Sequence, residues 1–112
     1  MEGLDALIGR KPSTRLFLLR DEERHICGMA TLCLCLMPTG NKAWVEDVVV
    51  DEACRGRGYG RQLLHYIIEE ARQAGATSIN LTSRPERLAA NRLYQSLGFE
   101  KRETNVYKMV LD

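Results

Sequence analysis

Apolar and polar positions follow two different periods along the chain. Residues 16–20 and 25–37 are apolar runs that read as strands, joined by the polar hairpin turn Asp21-Glu22-Glu23-Arg24. Gly28, inside the second run, marks a bulge or a close backbone approach. Pro38-Thr39-Gly40-Asn41-Lys42 is a loop of breakers, and residues 43–50 form a third strand. From residue 58 the period becomes helical. Leu63, Leu64, Ile67, Ile68 and Ala71 recur on one face, and Gly75 stops the helix. Residues 77–82 return to a strand, with Ile79 and Leu81 inward. A second helix is predicted between Pro85, suited to a first turn, and Gly98, suited to a left-handed cap. Its apolar stripe is Ala90, Leu93 and Leu97. Residues 99–103 and 106–111 are expected to close the fold as a pair of strands. Ahead of Leu16, the apolar residues Leu4, Leu7 and Ile8 leave room for one short helix.

This order predicts an α/β (α+β) fold. Of three strands able to pair antiparallel, the third opens a strand–helix–strand unit over residues 45–82, which demands a parallel, right-handed crossover. The sheet is therefore mixed and mostly antiparallel. There are no repeats, low-complexity tracts or interdomain linkers, so residues 1–112 are expected to form one domain.

Composition narrows the function classes. The chain is 28% charged and 45% hydrophobic with a formal net charge of +1. That balance gives no global attraction to nucleic acid or to a membrane surface. No segment has the length of a membrane span, and the N-terminus lacks the pattern of a signal peptide. A cytoplasmic protein with reduced thiols is expected. Cys33 and Cys35 lie two apart on a strand and share a face, while Cys27 and Cys54 read as single residues. His25 and His65 are near no cysteine pair at ligand spacing, so neither a metal site nor a disulfide framework is expected.

The candidate chemistry begins at Val48-Val49-Val50. A valine run suits a buried strand, and it leads into Arg55-Gly56-Arg57-Gly58-Tyr59-Gly60-Arg61. Three glycines at alternate positions allow a sharp turn that aims several N–H groups into one volume. The following helix adds its free amides and the positive end of its dipole. Arg55, Arg57 and Arg61 add full charge, so the loop is a receptor for a phosphate or pyrophosphate. It is not a P-loop, because Gly60 is followed by Arg61-Gln62 rather than Lys-Ser/Thr. It is not the dinucleotide fingerprint either, because the position of the third glycine holds Arg61.

The pattern Arg55-x-x-Gly58-x-Gly60 resembles the acetyl-CoA pyrophosphate loop of the GNAT N-acetyltransferase superfamily. A second segment, Asn91-x-x-Tyr94-x-x-Leu97-Gly98-Phe99, resembles the second cofactor-contacting region of that superfamily. The two occur in the family's order and at about its separation, and the tail 102–109 looks like the final strand region of many small bacterial members. The resemblance covers roughly residue 16 to the C-terminus and implies a GNAT-like fold, shortened at its N-terminus.

The resemblance also implies roles. Acetyl-CoA would be the co-substrate, with no metal. The main chain of Gly56, Arg57, Gly58, Tyr59, Gly60 and Arg61, with Arg55, would hold its pyrophosphate, the Tyr59 ring being a packing group. The backbone of Val48, Val49 and Val50 would meet the pantetheine arm as if it were another strand, in a gap where family members splay two parallel strands. Their side chains are expected in the core. Asn91 would hydrogen-bond the arm or simply face solvent. Tyr94 would protonate the departing thiolate, its alternative being a core tyrosine. Glu46 is the candidate base for the acceptor amine, with Asp47 or a water as alternatives. Strand alternation puts Glu46 and Asp47 on opposite faces, and a bulge would exchange them.

The implied reaction is acetyl transfer to a primary amine in a ternary complex. The rival class is a CoA-binding module without catalysis; a nucleic-acid-binding domain is disfavoured by the near-zero charge and few aromatics. Family members usually carry a strand and two helices before the strand matched here by residues 16–20. With only residues 1–15 ahead of it, that strand is expected at the sheet edge, where it invites a homodimer that also walls the acceptor pocket.

Overall fold

The charged turn at residues 21–24 reverses the chain through the Asp21 side chain, whose Oδ1 accepts the N–H groups of Glu23 and His25, each at 2.9 Å. The computed structural model describes residues 4–8, 13–35 and 37–111, and it divides into two compact units, Met1–Thr82 and Ser83–Asp112. Each unit is taken by itself.

The first unit is a five-stranded sheet with one helix. Its strands are β1 (Leu4–Ile8), β2 (Thr14–Arg20), β3 (Ile26–Cys35), β4 (Lys42–Val50) and β5 (Ser78–Leu81), hydrogen-bonded in that order. The first three pairings are antiparallel and β4–β5 is parallel. Helix α1 (Tyr59–Gln73) makes the crossover between β4 and β5. This is the mixed, mostly antiparallel arrangement that the sequence predicts. The expected 25–37 strand is shorter at both ends, and Leu36 lies outside the described residues.

One face of the sheet packs on α1. Phe17 and Ala30 are register partners, as are Leu32 and Val45, and all four are buried. From α1, Leu63, Leu64, Ile67 and Ala71 are buried against them, as the 3.6 periodicity predicts. Leu63, Leu64 and Ile67 each contribute about 1.5–3 kcal/mol on leaving water. Phe17 meets Tyr66 edge to face at 5.8 Å, and Arg15 reaches Glu70 at 3.0 Å, so β2 is tied to the outer side of α1. Burial, with Glu70 beside it, pushes the Tyr66 phenol above its ordinary value. The helix ends as Gly75 predicts: φ is +88°, Gly75 N–H donates to Arg72 O and Ala76 N–H to Ala71 O, the paired bonds of a Schellman cap.

Two expectations for this unit are corrected. Leu4, Leu7 and Ile8 belong to a strand rather than a helix. The segment Leu-Asp-Ala-Leu-Ile sits between Gly3 and Gly9, too short to carry a helix's nucleation cost, and it gains a full register with β2 from Leu4↔Leu19 to Ile8↔Arg15. As a consequence β2 is paired on both sides, and residues 16–20 are not the sheet edge from which a dimer was expected.

The second unit holds α2 (Leu88–Ser96) and the segments around it. Pro85 stands before the helix instead of in its first turn. Arg87 N–H donates to Arg84 O at 3.1 Å, closing a turn with Pro85 at its second position, which the fixed φ of proline favours. The helix ends in a second Schellman cap at Gly98, φ +104°, with Gly98 N–H on Gln95 O and Phe99 N–H on Tyr94 O. The closing strands expected at 99–103 and 106–111 are not formed: residues 99–111 are neither helix nor strand. Val106, Tyr107 and Met109 are 77–88% exposed. A two-stranded ribbon is marginal without a third strand or a helix to cover it, and the charged run Glu100-Lys101-Arg102-Glu103 gives it no apolar face.

Candidate functional site

Strand β4 carries the irregularity from which the site grows. Thr31 pairs with Glu46 but Met29 pairs with Val49, so Asp47 and Val48 together oppose Ala30. This is a β-bulge, and Asp47 holds the left-handed φ of +55° that it needs. The bulge shifts the strand's phase. Before it, Ala43 and Val45 are buried toward α1; after it, Val48 and Val50 are the half-buried positions. Val49 turns outward and is 52% exposed, which corrects the expectation that all three valine side chains are core. Glu46 and Asp47 are both exposed, Glu46 on the sheet face away from α1.

The parallel pairing stops short of the bulge. β5 pairs with β4 only from Lys42↔Ser78 to Val45↔Leu81, and β4 runs on to Val50 with β3 alone beside it. The edge of β4 over Glu46–Val50 on the β5 side is thus left without a strand in the first unit. Gly28 sits opposite Val50, and a Cβ there would lie 3.1 Å from Val49 O, so the close approach read from the sequence is real.

Beyond Val50 the chain is pinned before it enters the loop. Asp51 N–H donates to Cys27 O at 2.7 Å, and the Asp51 carboxylate caps a 3-10 turn over Glu52–Cys54 by accepting Ala53 N–H at 3.2 Å. Asp51, an acidic residue just before a short turn, carries the signal of this cap in the sequence itself. Gly56 and Gly58 then take φ of +82° and +77°, and Gly58 is the N-cap of α1. Nothing lies within 4 Å of where a Cβ would stand at either glycine, so their surroundings are open to a ligand. Arg55, Arg57 and Arg61 are exposed, and Tyr59 and Gly60 begin the helix, where first-turn amides lack an intrahelical acceptor. Loop amides, helix dipole and guanidinium charge thus occur together, as an anion site requires.

The structure also joins two cysteines that the sequence left apart. The Sγ atoms of Cys27 and Cys54 are 2.6 Å from one another in the buried layer below the loop.

In the second unit, Asn91 and Tyr94 lie on α2. The Asn91 amide nitrogen donates to Arg84 O at 2.9 Å and so holds the turn before the helix, leaving its oxygen for other partners. Tyr94 is buried, with its ring against Phe99.

The acetyltransferase (GNAT) family model matches residues 2–99. The chain belongs to the GNAT acetyltransferase family. Among similar proteins, the uncharacterised N-acetyltransferase YhdJ of Bacillus subtilis is 34% identical over 88% of this chain and 70% of its own length. The ribosomal protein bS18-alanine N-acetyltransferase of Salmonella typhimurium is 36% identical over 54% of this chain and 41% of its own length. Among solved structures, that of a transcriptional regulator from Bacillus halodurans C-125 superposes with a TM-score of 0.81 at 31% identity, over 91% of this chain and 69% of that one. The mixed sheet with its single parallel crossover is thus the GNAT fold. Among the described residues, no helix is long and apolar enough to cross a membrane.

Proposed function

We propose that this GNAT protein is an acetyl-CoA-dependent N-acetyltransferase acting on a primary amine by direct attack in a ternary complex. The observation that carries the reading is the stretch of β4 with no strand on its β5 side, leading into a left-handed glycine loop and the N-terminus of α1. The loop at residues 55–61 fits a pyrophosphate: its glycines leave open space, and its charges have the right sign. The free edge of Glu46–Val50 fits a ligand carrying peptide-like amides, which would dock as an added strand. A main-chain N–H at the bulge would meet the thioester oxygen as it gains negative charge.

Glu46, exposed beside the bulge, would take the proton of the attacking amine directly or through water, with Asp47 as the alternative. Tyr94 would supply a proton to the departing thiolate, since a neutral phenol donates at pH 7. Acetyl-CoA supplies the activated acetyl group, and the protein's own work is to hold, orient and shift protons.

The test has two arms. Calorimetry should show acetyl-CoA binding to the wild-type protein. Thiol release should then be followed over a panel of amines that includes an N-terminal alanine peptide and glucosamine 6-phosphate, the acceptors in relatives' names. Turnover with any amine supports the enzyme reading. Binding without turnover on the whole panel supports the non-catalytic module, and absence of binding removes both.

A further inference from the structure

Cys27 and Cys54 are 27 positions apart in sequence, yet their sulfurs are 2.6 Å apart and buried. Both backbones are already fixed around them. Cys27 O accepts Asp51 N–H at 2.7 Å, and Cys54 N–H donates to Asp51 O at 2.8 Å. Cys54 is the last residue of the 3-10 turn, and Arg55 follows it directly. Cys54 is 7% exposed and lines a polar cleft with Asp51, Arg57 and Tyr59, while Cys27 is wholly buried. Cys54 therefore borders the cleft, and Cys27 stands behind it.

We propose that Cys27 and Cys54 are a redox pair, and that a two-electron oxidant of the peroxide class converts them to a disulfide that clamps the stem of the residue 55–61 loop. In the first step the Cys54 thiolate attacks one peroxide oxygen. The O–O bond breaks, and the hydroxide leaves as water with the proton that Cys54 gave up. In the second step the Cys27 sulfur attacks the sulfenic sulfur of Cys54. The S–S bond forms, the S–O bond breaks, and a second water leaves with the Cys27 proton. Two thiols and one hydrogen peroxide become one disulfide and two waters. The order of attack follows access. It also fits the Cys27 thiol, which its hydrogen bond to Cys54 and burial push up to about 11, so that Cys27 resists reaction as a free thiolate.

The disulfide acts as a clamp rather than an off-switch. The two sulfurs already face one another, so the bond would join backbones that keep their own hydrogen bonds. The loop keeps its shape and loses freedom. Oxidation of this pair does not depend on acetyl-CoA use.

The experiment treats the reduced wild-type protein with hydrogen peroxide and follows it by intact mass, peptide mapping and thermal melting. The expected result is loss of two hydrogens, a Cys27–Cys54 cross-linked peptide, and a rise in Tm of roughly 10 °C, the scale for closing a loop of this length, reversed by dithiothreitol. Amide hydrogen exchange at residues 55–61 should slow in the oxidised form. Cys54→Ala should show neither the cross-link nor the rise. If that variant does not fold, the wild-type map and melt decide alone. A cross-link through Cys33 or Cys35 instead, over-oxidation of Cys54 without a cross-link, or a cross-linked form melting no higher than the reduced one would overturn the proposal.

Discussion

The Tyr94 ring meets the Phe99 ring edge to face, with centroids 6.1 Å apart and planes at 68°. The contact spans Gly98: counting back from Ser96, Tyr94 is the third residue of the helix end, and Phe99 is the second beyond the C-cap Leu97, the two positions whose apolar side chains accompany a Schellman motif. The Tyr-x-x-Leu-Gly-Phe pattern thus has a structural reason of its own. Any chemical role of Tyr94 rests on its hydroxyl, with the ring already employed.

That division separates two substitutions. Tyr94→Phe keeps the ring contact and should melt close to wild type, while turnover falls and acetyl-CoA affinity stays. Tyr94→Ala removes a buried ring and should cost about 3 kcal/mol or more. Urea unfolding beside steady-state kinetics reads both. Full kcat in Tyr94→Phe would take Tyr94 out of the mechanism.

Gly58 is held at φ +77° with open space where a Cβ would stand, so strain rather than collision opposes a side chain there. A left-handed L-residue costs about 1–2 kcal/mol, and the loop would relax away from its cradle. Gly58→Val should weaken acetyl-CoA binding at least tenfold by calorimetry, and unchanged affinity would show that this loop is not the anion site.

Gly28 presents the opposite case. Its backbone has room, but a Cβ would sit 3.1 Å from Val49 O and close to Leu63. Gly28→Val should cost about 1–3 kcal/mol through overpacking and displace the end of β4. Gly28→Ala should be milder. Chemical denaturation of the two variants, ranked against wild type, checks the order.

Asp21 gives a pH dependence. Burial pushes its carboxyl up, but the backbone N–H groups of His25 and Glu23, helped by the His25 ring, leave it below its ordinary value. A lowered folded value means that the ionised form is favoured by folding. Its contribution is complete above the unfolded carboxylate range and is lost as pH falls through the folded value. The stability gap between wild type and Asp21→Ala should therefore be present at pH 7 and shrink toward pH 3, as measured by urea midpoints. A gap that widens in acid would contradict the assignment.

Much of this molecule was legible from residue pattern because the signals were local. The α1 face, its Gly75 stop and the Gly98 cap are encoded within a turn or two of the residues involved. Pro85 misled because proline suits both a first helical turn and the second position of a β-turn, and only the Arg84–Arg87 hydrogen bond chooses. The strand at Leu4–Ile8 was missed because its stability comes from pairing with β2, which no local window contains. A bulge near Asp47 is compatible with the sequence, but the sequence does not say that Ala30 faces two residues. The Cys27–Cys54 contact depends wholly on tertiary placement.

The stretch of β4 beyond Val45 offers its neighbourhood peptide groups, and these are the same whichever amino acid stands at each position. A surface made of main chain is insulated from most point mutations: a residue there exchanged for another β-former keeps its N–H and C=O. Only proline deletes a donor outright. In the function proposed above, recognition there would be inherited with the fold, and side chains elsewhere would be free to diverge toward new acceptors.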